Sequence, residues 1–273
     1  MSEEILVSVI IPTYNRCERL IKTISSVQNQ SLRDIEILVC NDGSTDETTI
    51  QVEKICRYDS RVKLINCGAN GRPAIPRNMG IKMAQGRWLA FVDDDDCWSC
   101  DKLEKQLSAM QRTGVLACCT NAENVSENDD YLGLYFCDRE MKKFSFWYFL
   151  LENPVICSSM VVRRDVINRC NGFPEELELR AIEDYALWMR VALCTSIYYL
   201  HEPLVQYLYT SGSSIREKET KSFATQRKIV LSTLNEWIKT QTFGMKCKYG
   251  IQIVFFGGAF VYKRFVKLIN RYR

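Results

Sequence analysis

Residues 7–12, Val-Ser-Val-Ile-Ile-Pro, decide the fold class of this chain. Val7 to Ile11 form a compact apolar run, and Pro12 stops it because proline has no amide hydrogen for a strand ladder. A short, nearly all-apolar run is typical of a strand that is buried on both faces of a parallel sheet. The sequence therefore predicts that the chain opens with a central strand of an α/β domain.

Strand and helix signals alternate after this run. Further strands are predicted at residues 35–40, 62–65 and 88–92. Asn15 is predicted to cap the first intervening helix, and residues 44–47, Ser-Thr-Asp-Glu, fit a capping box for the second. This order predicts an α/β fold with a single Rossmann-like, mainly parallel sheet and helices on both faces.

The second half is less regular. Helices are predicted at 144–151 and 219–239, and strands at 155–162 and 195–200. With 273 residues the chain is long enough for one large domain and a small appendage. Its 47% hydrophobic and 25% charged content excludes a disordered chain.

The thirteen cysteines are expected to be reduced thiols packed as small hydrophobic residues. Residues 1–4, Met-Ser-Glu-Glu, lack the basic start and apolar core of a signal peptide, so a cytoplasmic protein is expected. Cys97 and Cys100 have the spacing of a zinc or redox site. No second cysteine pair with finger spacing follows them, and His201 is the single histidine. We therefore do not expect a zinc or redox role.

Polar residues follow three of the predicted strands, after Ile11, Cys40 and Val92. Ligands of open α/β sheets bind beyond the carboxyl ends of the strands. Each loop alone is also compatible with a simple turn, because Asp, Asn and Gly favour turns. The three together predict a binding site at one edge of the sheet.

Four consecutive carboxylates, Asp93 to Asp96, follow the apolar strand 88–92. Adjacent carboxylates repel one another unless cations offset their charge. Mg²⁺ or Mn²⁺, bound by one or two of them and by diphosphate oxygens, is the predicted ligand. Asp93 and Asp95 point to the same side of an extended segment, so one can reach a ribose while the other reaches the metal. Such a cluster suits transfer of a sugar from a nucleotide-sugar and equally suits nucleotidyl transfer.

The chain resembles glycosyltransferase family 2, the inverting enzymes of the GT-A fold, including those of bacterial O-antigen and capsule synthesis. The resemblance spans residues 6–210. Its motifs, in order, are Val7–Arg16, Asn41–Asp46, Asn70–Gly71 with Arg77–Gly80 and Ala84–Gly86, Phe91–Trp98, and Asn171–Phe173 followed by Glu183–Trp188.

The resemblance implies roles for individual residues. Asp184 would be the general base, with Glu183 orienting the site. Asp95 would be the main metal ligand, helped by Asp93, and Asp96 would cap the helix at 102–111. Donor-binding residues would be Pro12, Thr13, Tyr14, Arg16, Asp42, Gly71, Arg77, Asn78, Asp93, Asp94 and Trp98.

The resemblance also implies a domain plan. Residues 1–215 would form the GT-A domain, with a nucleotide-sugar half at 1–98 and an acceptor half at 99–215. Where family members carry an Arg and a His, this chain has Tyr207 to Thr210, so Arg216 or Lys218 is expected to close over the diphosphate instead. The Gln-x-x-Arg-Trp motif of processive synthases is absent from the sequence, which indicates addition of a single sugar.

Residues 216–273 are predicted to form a helical extension that associates with the membrane. From Lys239 to Arg273 there are eight Lys or Arg and no Asp or Glu, and residues 249–262 are almost wholly apolar. Apolar residues beside cations are typical of a segment that lies on an anionic leaflet, and 14 residues are too few to span it. A packed C-terminal helix or a dimer contact is the alternative, and no base-reading motif supports nucleic acid.

The predicted reaction is therefore transfer of a hexose or N-acetylhexosamine from a UDP-sugar. The resemblance implies a saccharide acceptor at the inner face of the cell membrane, such as a polyprenyl-diphosphate-linked one, and the new bond would be β. A nucleotidyltransferase, or a non-catalytic relative that binds a nucleotide or lipid, is the alternative.

Overall fold

In the computed structural model, which describes residues 5–137, 142–209 and 222–254, one mixed sheet runs through the molecule. The first half supplies strands β1 to β4 with helices α1 to α3 between them. Their bounds are β1 Val7–Thr13, α1 Cys17–Gln28, β2 Ile35–Asn41, α2 Thr48–Tyr58, β3 Val62–Asn66, α3 Ala74–Met83 and β4 Trp88–Phe91. All pairs among these strands are parallel, in the order β3-β2-β1-β4. The predicted alternation of strands and helices is confirmed.

The second half continues the same sheet with both strand directions. Its elements are β5 Cys97–Trp98, α4 Lys102–Thr113, β6 Ala117–Val125, β7 Tyr131–Leu134, β8 Lys143–Phe144, α5 Phe146–Phe149, β9 Val161–Arg163, α6 Arg164–Arg169, α7 Glu183–Cys194 and β10 Ile197–Leu208. Strand β9 pairs antiparallel with both β4 and β6, whereas β6 and β10 are parallel. The two predicted halves of the domain therefore share one sheet.

Two apolar cores lie on opposite faces of this sheet. On β1, Val9 and Ile11 pack with α1 on one face, and Ile10 packs with α3 and α7 on the other. Every residue of β1 is buried, as expected for a central parallel strand. Helices therefore cover both faces, as predicted.

Several local predictions are wrong. Residues 155–162 do not form one strand, because a 3-10 turn at Cys157–Ser159 precedes the short strand β9. The helix predicted at 144–151 is only the single turn α5. Asn15 does not cap α1; its Oδ1 instead accepts hydrogen bonds from the backbone amides of Thr45 and Asp46.

The predicted capping box at residues 44–47 is also absent. Helix α2 begins at Thr48, and the side chain of Asp46 accepts from the Thr48 amide in a local turn. Short polar side chains readily form such local bonds, which compete with helix capping. These corrections change the loops at the sheet edge and leave the sheet order intact.

Helix α8, Phe223–Lys239, packs on α7, and residues 243–254 form a further helical segment. Met245, Tyr249 and Ile253 of this segment face the core that contains α7. Within the described ranges, no helix is both long and apolar enough to cross a bilayer. Residues 255–273, Arg216, Lys218 and the predicted boundary at 215/216 lie outside the described residues.

Candidate active site

A cleft of about 400 Å³ opens at the carboxyl edge of β1, β2 and β4. The parallel register brings these strand ends together, since Thr13 lies opposite Asn41 and the Val92 amide donates to the Ile10 carbonyl. The structure places most predicted site residues here: Pro12, Thr13, Tyr14, Arg16, Asp42, Gly71, Arg77, Asp93, Asp94, Asp95, Glu183 and Asp184. Residues from both halves of the chain therefore meet in one cavity.

Asp42 fixes the wall of the cleft next to β2. Its Oδ1 accepts hydrogen bonds from the amide and side chain of Asn70, at 3.0 and 2.8 Å, and its Oδ2 accepts from the Gly71 amide at 2.8 Å. Gly71 has a φ of +67°, a conformation that glycine adopts at little cost. The carboxylate thus holds the loop before α3 against the end of β2.

Arg16 provides the positive charge beside the aspartate cluster. Its Nη1 donates to Oδ2 of Asp95 and lies 3.5 Å from Oδ1 of Asp94. Burial and the charge of Asp95 raise the pKa of Asp94 to about 7, and burial also raises the pKa of Asp95. Burial and the neighbouring carboxylates therefore disfavour ionisation of Asp94 and Asp95, even with Arg16 beside them.

Arg77 connects the two sides of the cleft from a fully buried position. Its Nη2 donates to Oδ1 of Asp93 at 2.6 Å and its Nη1 donates to Oε1 of Glu183 at 2.7 Å. The guanidinium also lies 5.2 Å from the ring centroid of Phe173. The predicted nucleotide contact thus has both terminal nitrogens engaged by protein carboxylates, so Arg77 positions the loop after β4 against α7.

Asp184 lies in the first turn of α7 and faces the cleft. Ala181, three residues earlier, has a φ of +67°, which is uncommon for a residue with a side chain. This left-handed residue turns the chain from the 3-10 turn at Leu177–Leu179 into α7. The neighbouring Glu183 is only 5% exposed, and this burial raises the pKa of its carboxyl. Glu183 therefore serves to position the site, while Asp184 is the more accessible carboxylate.

Two predicted site residues lie elsewhere. Trp98 is buried on β5, donates through Nε1 to the Ser158 carbonyl and packs under the Lys102 ammonium at 3.8 Å. Asn78 points to residues 173–180, the acceptor-side segment of the predicted domain plan, where it donates to the Phe173 carbonyl and accepts from the Phe173 amide, both at 2.8 Å. Neither side chain lines the cleft, and each stabilises an element that does.

The fourth aspartate has a structural role that differs from the predicted helix cap. Asp101 precedes α4, whereas Asp96 is buried and accepts from Ser158 Oγ and from the Leu208 amide. Ser158 Oγ in turn accepts from the Asp93 amide at 3.0 Å. Burial raises the pKa of Asp96 well above its usual value. Asp96 and Ser158 thus tie the aspartate loop to β10.

Sequence reasoning missed several residues of the site. These are Ser158, the cleft residues Arg72 and Arg180, and the neighbouring Ile156, Cys157 and Ala181. They belong to irregular segments, in which no periodic pattern indicates which way a side chain points. Tyr207 and Leu208, predicted to lie in a loop, end strand β10 and line the cleft.

The cleft offers few protein ligands for the predicted metal ion. Among the residues that the structure describes, no three His, Cys, Asp or Glu side chains converge as a metal-binding group. The oxygens of Asp93 and Asp95 are nevertheless the hard ligands that Mg²⁺ and Mn²⁺ prefer. The protein can supply part of a coordination shell, and a diphosphate would have to supply the rest.

The model of the family described as Glycosyl transferase family 2 matches residues 8–170, more than half of the chain. The chain belongs to glycosyltransferase family 2. A family relative from Escherichia coli, WfgD, is 32% identical over 189 residues, which cover 69% of this chain and 70% of WfgD. WfgD is named a UDP-Glc:alpha-D-GlcNAc-diphosphoundecaprenol beta-1,3-glucosyltransferase.

An uncharacterised glycosyltransferase from Rickettsia felis is 32% identical over 211 residues, 76% of this chain and 34% of the relative. The chain thus spans about a third of the length of the Rickettsia relatives that it matches. Residues 1-349 of S. aureus TarS, solved in complex with UDP-GlcNAc, have a TM-score of 0.69 at 20% identity. That match covers 89% of this chain and 69% of the TarS chain, and it confirms the GT-A fold.

Proposed function

We propose that this chain is an inverting, metal-dependent, non-processive glycosyltransferase that moves a sugar from a UDP-sugar to a hydroxyl of a lipid-linked saccharide. One observation carries the proposal. A single cleft contains Asp184 together with the aspartates that follow β2 and β4, and buried Arg77 joins its two sides.

Asp184 acts as the general base in this proposal. It is half-buried, and it shares the cleft with the donor-side aspartates. It accepts the proton of the acceptor hydroxyl as that oxygen attacks the anomeric carbon, and the diphosphate departs from the opposite face. A single displacement inverts the anomeric centre, so an α-linked donor gives a β-linked product.

Asp42 and the end of β1 bind the nucleotide. The amides at Asn70 and Gly71 hold the Asp42 carboxylate, and its side chain lines the cleft together with Thr13. The TarS structure with UDP-GlcNAc and the name of WfgD both support UDP as the nucleotide.

Asp95 and Asp93 would hold Mg²⁺ or Mn²⁺. Burial, together with the charge of neighbouring aspartates, raises the pKa values of Asp94 and Asp95, and a divalent cation would favour their ionised forms. When bound, such a cation neutralises the charge that develops on a departing diphosphate. Arg16, which contacts Asp95, must share this carboxylate or release it.

The C-terminal segment supports contact with a membrane. Phe243, Ile251 and Val254 are 82%, 57% and 73% exposed, and their spacing places them on one face of the helical segment 243–254. Lys246 and Lys248 belong to the same segment, and its sequence continues into the apolar and basic residues 255–273. An anionic inner leaflet carrying a lipid-linked acceptor matches this chemistry.

The activity can be tested by measuring UDP release. The protein is incubated with Mn²⁺, with UDP-Glc, UDP-Gal, UDP-GlcNAc or UDP-GalNAc, and with GlcNAc joined through a diphosphate to an alkyl chain. We expect UDP, together with a β-linked disaccharide, for one donor. Release of a sugar 1-phosphate, which is left when the uridylyl group is transferred in place of the sugar, would indicate a nucleotidyltransferase. No product with any of these donors would contradict the proposal.

Metal dependence can be tested without turnover. We expect Mn²⁺ and UDP together to raise the melting temperature more than the sum of their separate effects, because each completes the binding site of the other. Asp95→Asn should abolish this extra shift, whereas the matched variant Asp34→Asn, on the exposed turn before β2, should retain it. An unchanged shift in Asp95→Asn would contradict the assigned ligand.

Membrane contact can be tested by sedimentation with vesicles of phosphatidylglycerol and phosphatidylethanolamine. Phe243→Ser/Ile251→Ser/Val254→Ser should weaken binding. Ile50→Ser, which changes a side chain of similar exposure (56%) on α2, should not. Wild-type protein that stays in the supernatant at low salt would contradict membrane contact.

A further inference from the structure

On the side of the cleft next to α7, not every arginine is paired with a carboxylate. Four arginines line the cleft. Arg16 pairs with Asp94 and Asp95, and Arg77 pairs with Asp93 and Glu183. Within the described residues, neither Arg72 nor Arg180 has a carboxylate partner.

The two unpaired arginines belong to segments that meet beside α7. Arg180 lies four residues before Asp184 and is exposed, and left-handed Ala181 follows it. Arg72 precedes α3, and its Nη1 donates to the carbonyl of Glu175, in the segment that leads to Arg180. Arg72 is thus anchored to the acceptor-side segment, with the rest of its guanidinium available to the cleft.

The aspartates that follow β2 and β4 do not bind these cations, because each accepts from other donors. Asp42 accepts from backbone and amide donors, and Asp93 accepts from Arg77. Asp95 accepts from Arg16. A guanidinium is a planar donor that binds phosphate oxygens in pairs. Two such groups at the rim beside Asp184 therefore match a phosphate-bearing ligand.

We propose that Arg72 and Arg180 bind the diphosphate of the acceptor, next to the sugar whose hydroxyl faces Asp184. This inference rests on the proposed function and names the acceptor group that the site recognises. A donor carries a diphosphate too, but the carboxylates and Arg16 on the β1 and β4 side are the groups assigned to it. The arginine pair lies with the acceptor-side segment, so it selects acceptors by their charge.

Binding without turnover is the first test. Equilibrium dialysis measures the affinity of the protein for GlcNAc joined through a diphosphate to a short alkyl chain, with no donor present. Charge-assisted hydrogen bonds contribute roughly tenfold or more each in affinity. Arg72→Gln/Arg180→Gln should weaken binding by about 100-fold, and Arg72→Lys/Arg180→Lys should recover part of it. Arg112→Gln, on an exposed turn of α4, should bind as wild type does. Equal affinity in wild type and the Gln double variant overturns the proposal, whether or not the protein transfers a sugar.

Kinetics with two acceptors separate the acceptor diphosphate from the donor diphosphate. For the Gln double variant, kcat/KM should fall about 100-fold with the diphosphate acceptor and change less than threefold with neutral octyl-α-GlcNAc. KM for the UDP-sugar should stay within threefold of the wild-type value. Equal losses with both acceptors, or a rise confined to the donor KM, would overturn the assignment. A wild-type protein that releases no UDP with either acceptor would contradict the proposed function instead.

Discussion

Arg77 and Glu183 form a buried ion pair in which Nη1 of the arginine lies 2.7 Å from Oε1 of the carboxylate. The residues are 106 positions apart in the chain, and both side chains are about 6% exposed. The same guanidinium binds Asp93 at 2.6 Å. One cation therefore fixes the distance between the aspartate loop after β4 and the helix that carries Asp184.

Loss of Arg77 is expected to destabilise the fold strongly. Arg77→Met leaves Asp93 and Glu183 without their cation, and breaking a buried pair in this way typically costs about 3–5 kcal/mol. The free energy of unfolding in urea measures this loss. Arg57→Met, on the exposed surface of α2, should change it by less than about 0.5 kcal/mol.

A second substitution tests the pairing itself. Arg77→Met/Glu183→Gln should recover part of the lost stability, because no uncompensated charge then remains at residue 183. Additive losses from the two substitutions would show that Arg77 and Glu183 are not energetically coupled.

Gly86 is expected to tolerate no side chain. A Cβ at this position would lie 2.5 Å from the Ser8 amide nitrogen and 2.8 Å from the Val7 carbonyl carbon, both in the backbone of β1. Gly86→Ala should therefore lower the free energy of unfolding by about 1–3 kcal/mol. Gly244→Ala, which meets nothing within 4 Å and lies in a helix, should be neutral or stabilising by up to about 1 kcal/mol. Equal effects of the two substitutions in urea unfolding would contradict this packing.

Stability without divalent cations is expected to fall as the pH rises. The folded-state pKa of Asp94 is about 7, raised by burial and by Asp95, whereas the unfolded value is about 3.9. Folding therefore favours the protonated carboxyl, and stability is lost between about pH 4 and pH 7. Burial shifts the pKa values of Asp95, Asp96 and Glu183 in the same direction.

Asp94→Asn measures how much the Asp94 carboxyl contributes to the pH dependence of stability. The fall in the free energy of unfolding from pH 5 to pH 8, measured with urea in EDTA, should be smaller in this variant than in wild type. Asp59→Asn is the control, since hydrogen bonding by Arg61 lowers the pKa of Asp59 to about 2. The ionised Asp59 carboxylate stabilises the fold above about pH 4. The free energy of unfolding lost in Asp59→Asn should therefore be the same from pH 5 to pH 8. An Asp94→Asn profile parallel to wild type would contradict the assigned burial.

The central sheet could be predicted from the sequence because the residue types of each strand reflect how deeply that strand is buried. Residues 7–11 are apolar at every position except Ser8, and this pattern depends only on burial on both faces. The position of Asp42 and of Asp93 to Asp95 at one edge then follows from parallel strands. Family resemblance added Asp184, which no local pattern could connect to that edge.

The errors occur where long-range contacts decide the structure. Trp98 lies two residues after the aspartate cluster, but pairing of β5 with Val205 of β10 places its ring in the core. The apolar run at 155–162 is interrupted at Ser158, whose backbone carbonyl and side chain bind Trp98 and Asp96. Arg77 is buried and has ion-pair partners 16 and 106 residues away, which no spacing rule indicates.

The turnover of Asp184→Asn tests the central claim most directly. Asparagine preserves the shape of the side chain but cannot accept the proton of the acceptor hydroxyl. The account predicts that kcat for UDP release with the sugar acceptor falls about 100- to 10,000-fold. Affinity for UDP in the presence of Mn²⁺ should stay within threefold of wild type, and Asp34→Asn should retain full activity. An Asp184→Asn enzyme with wild-type kcat would contradict the account.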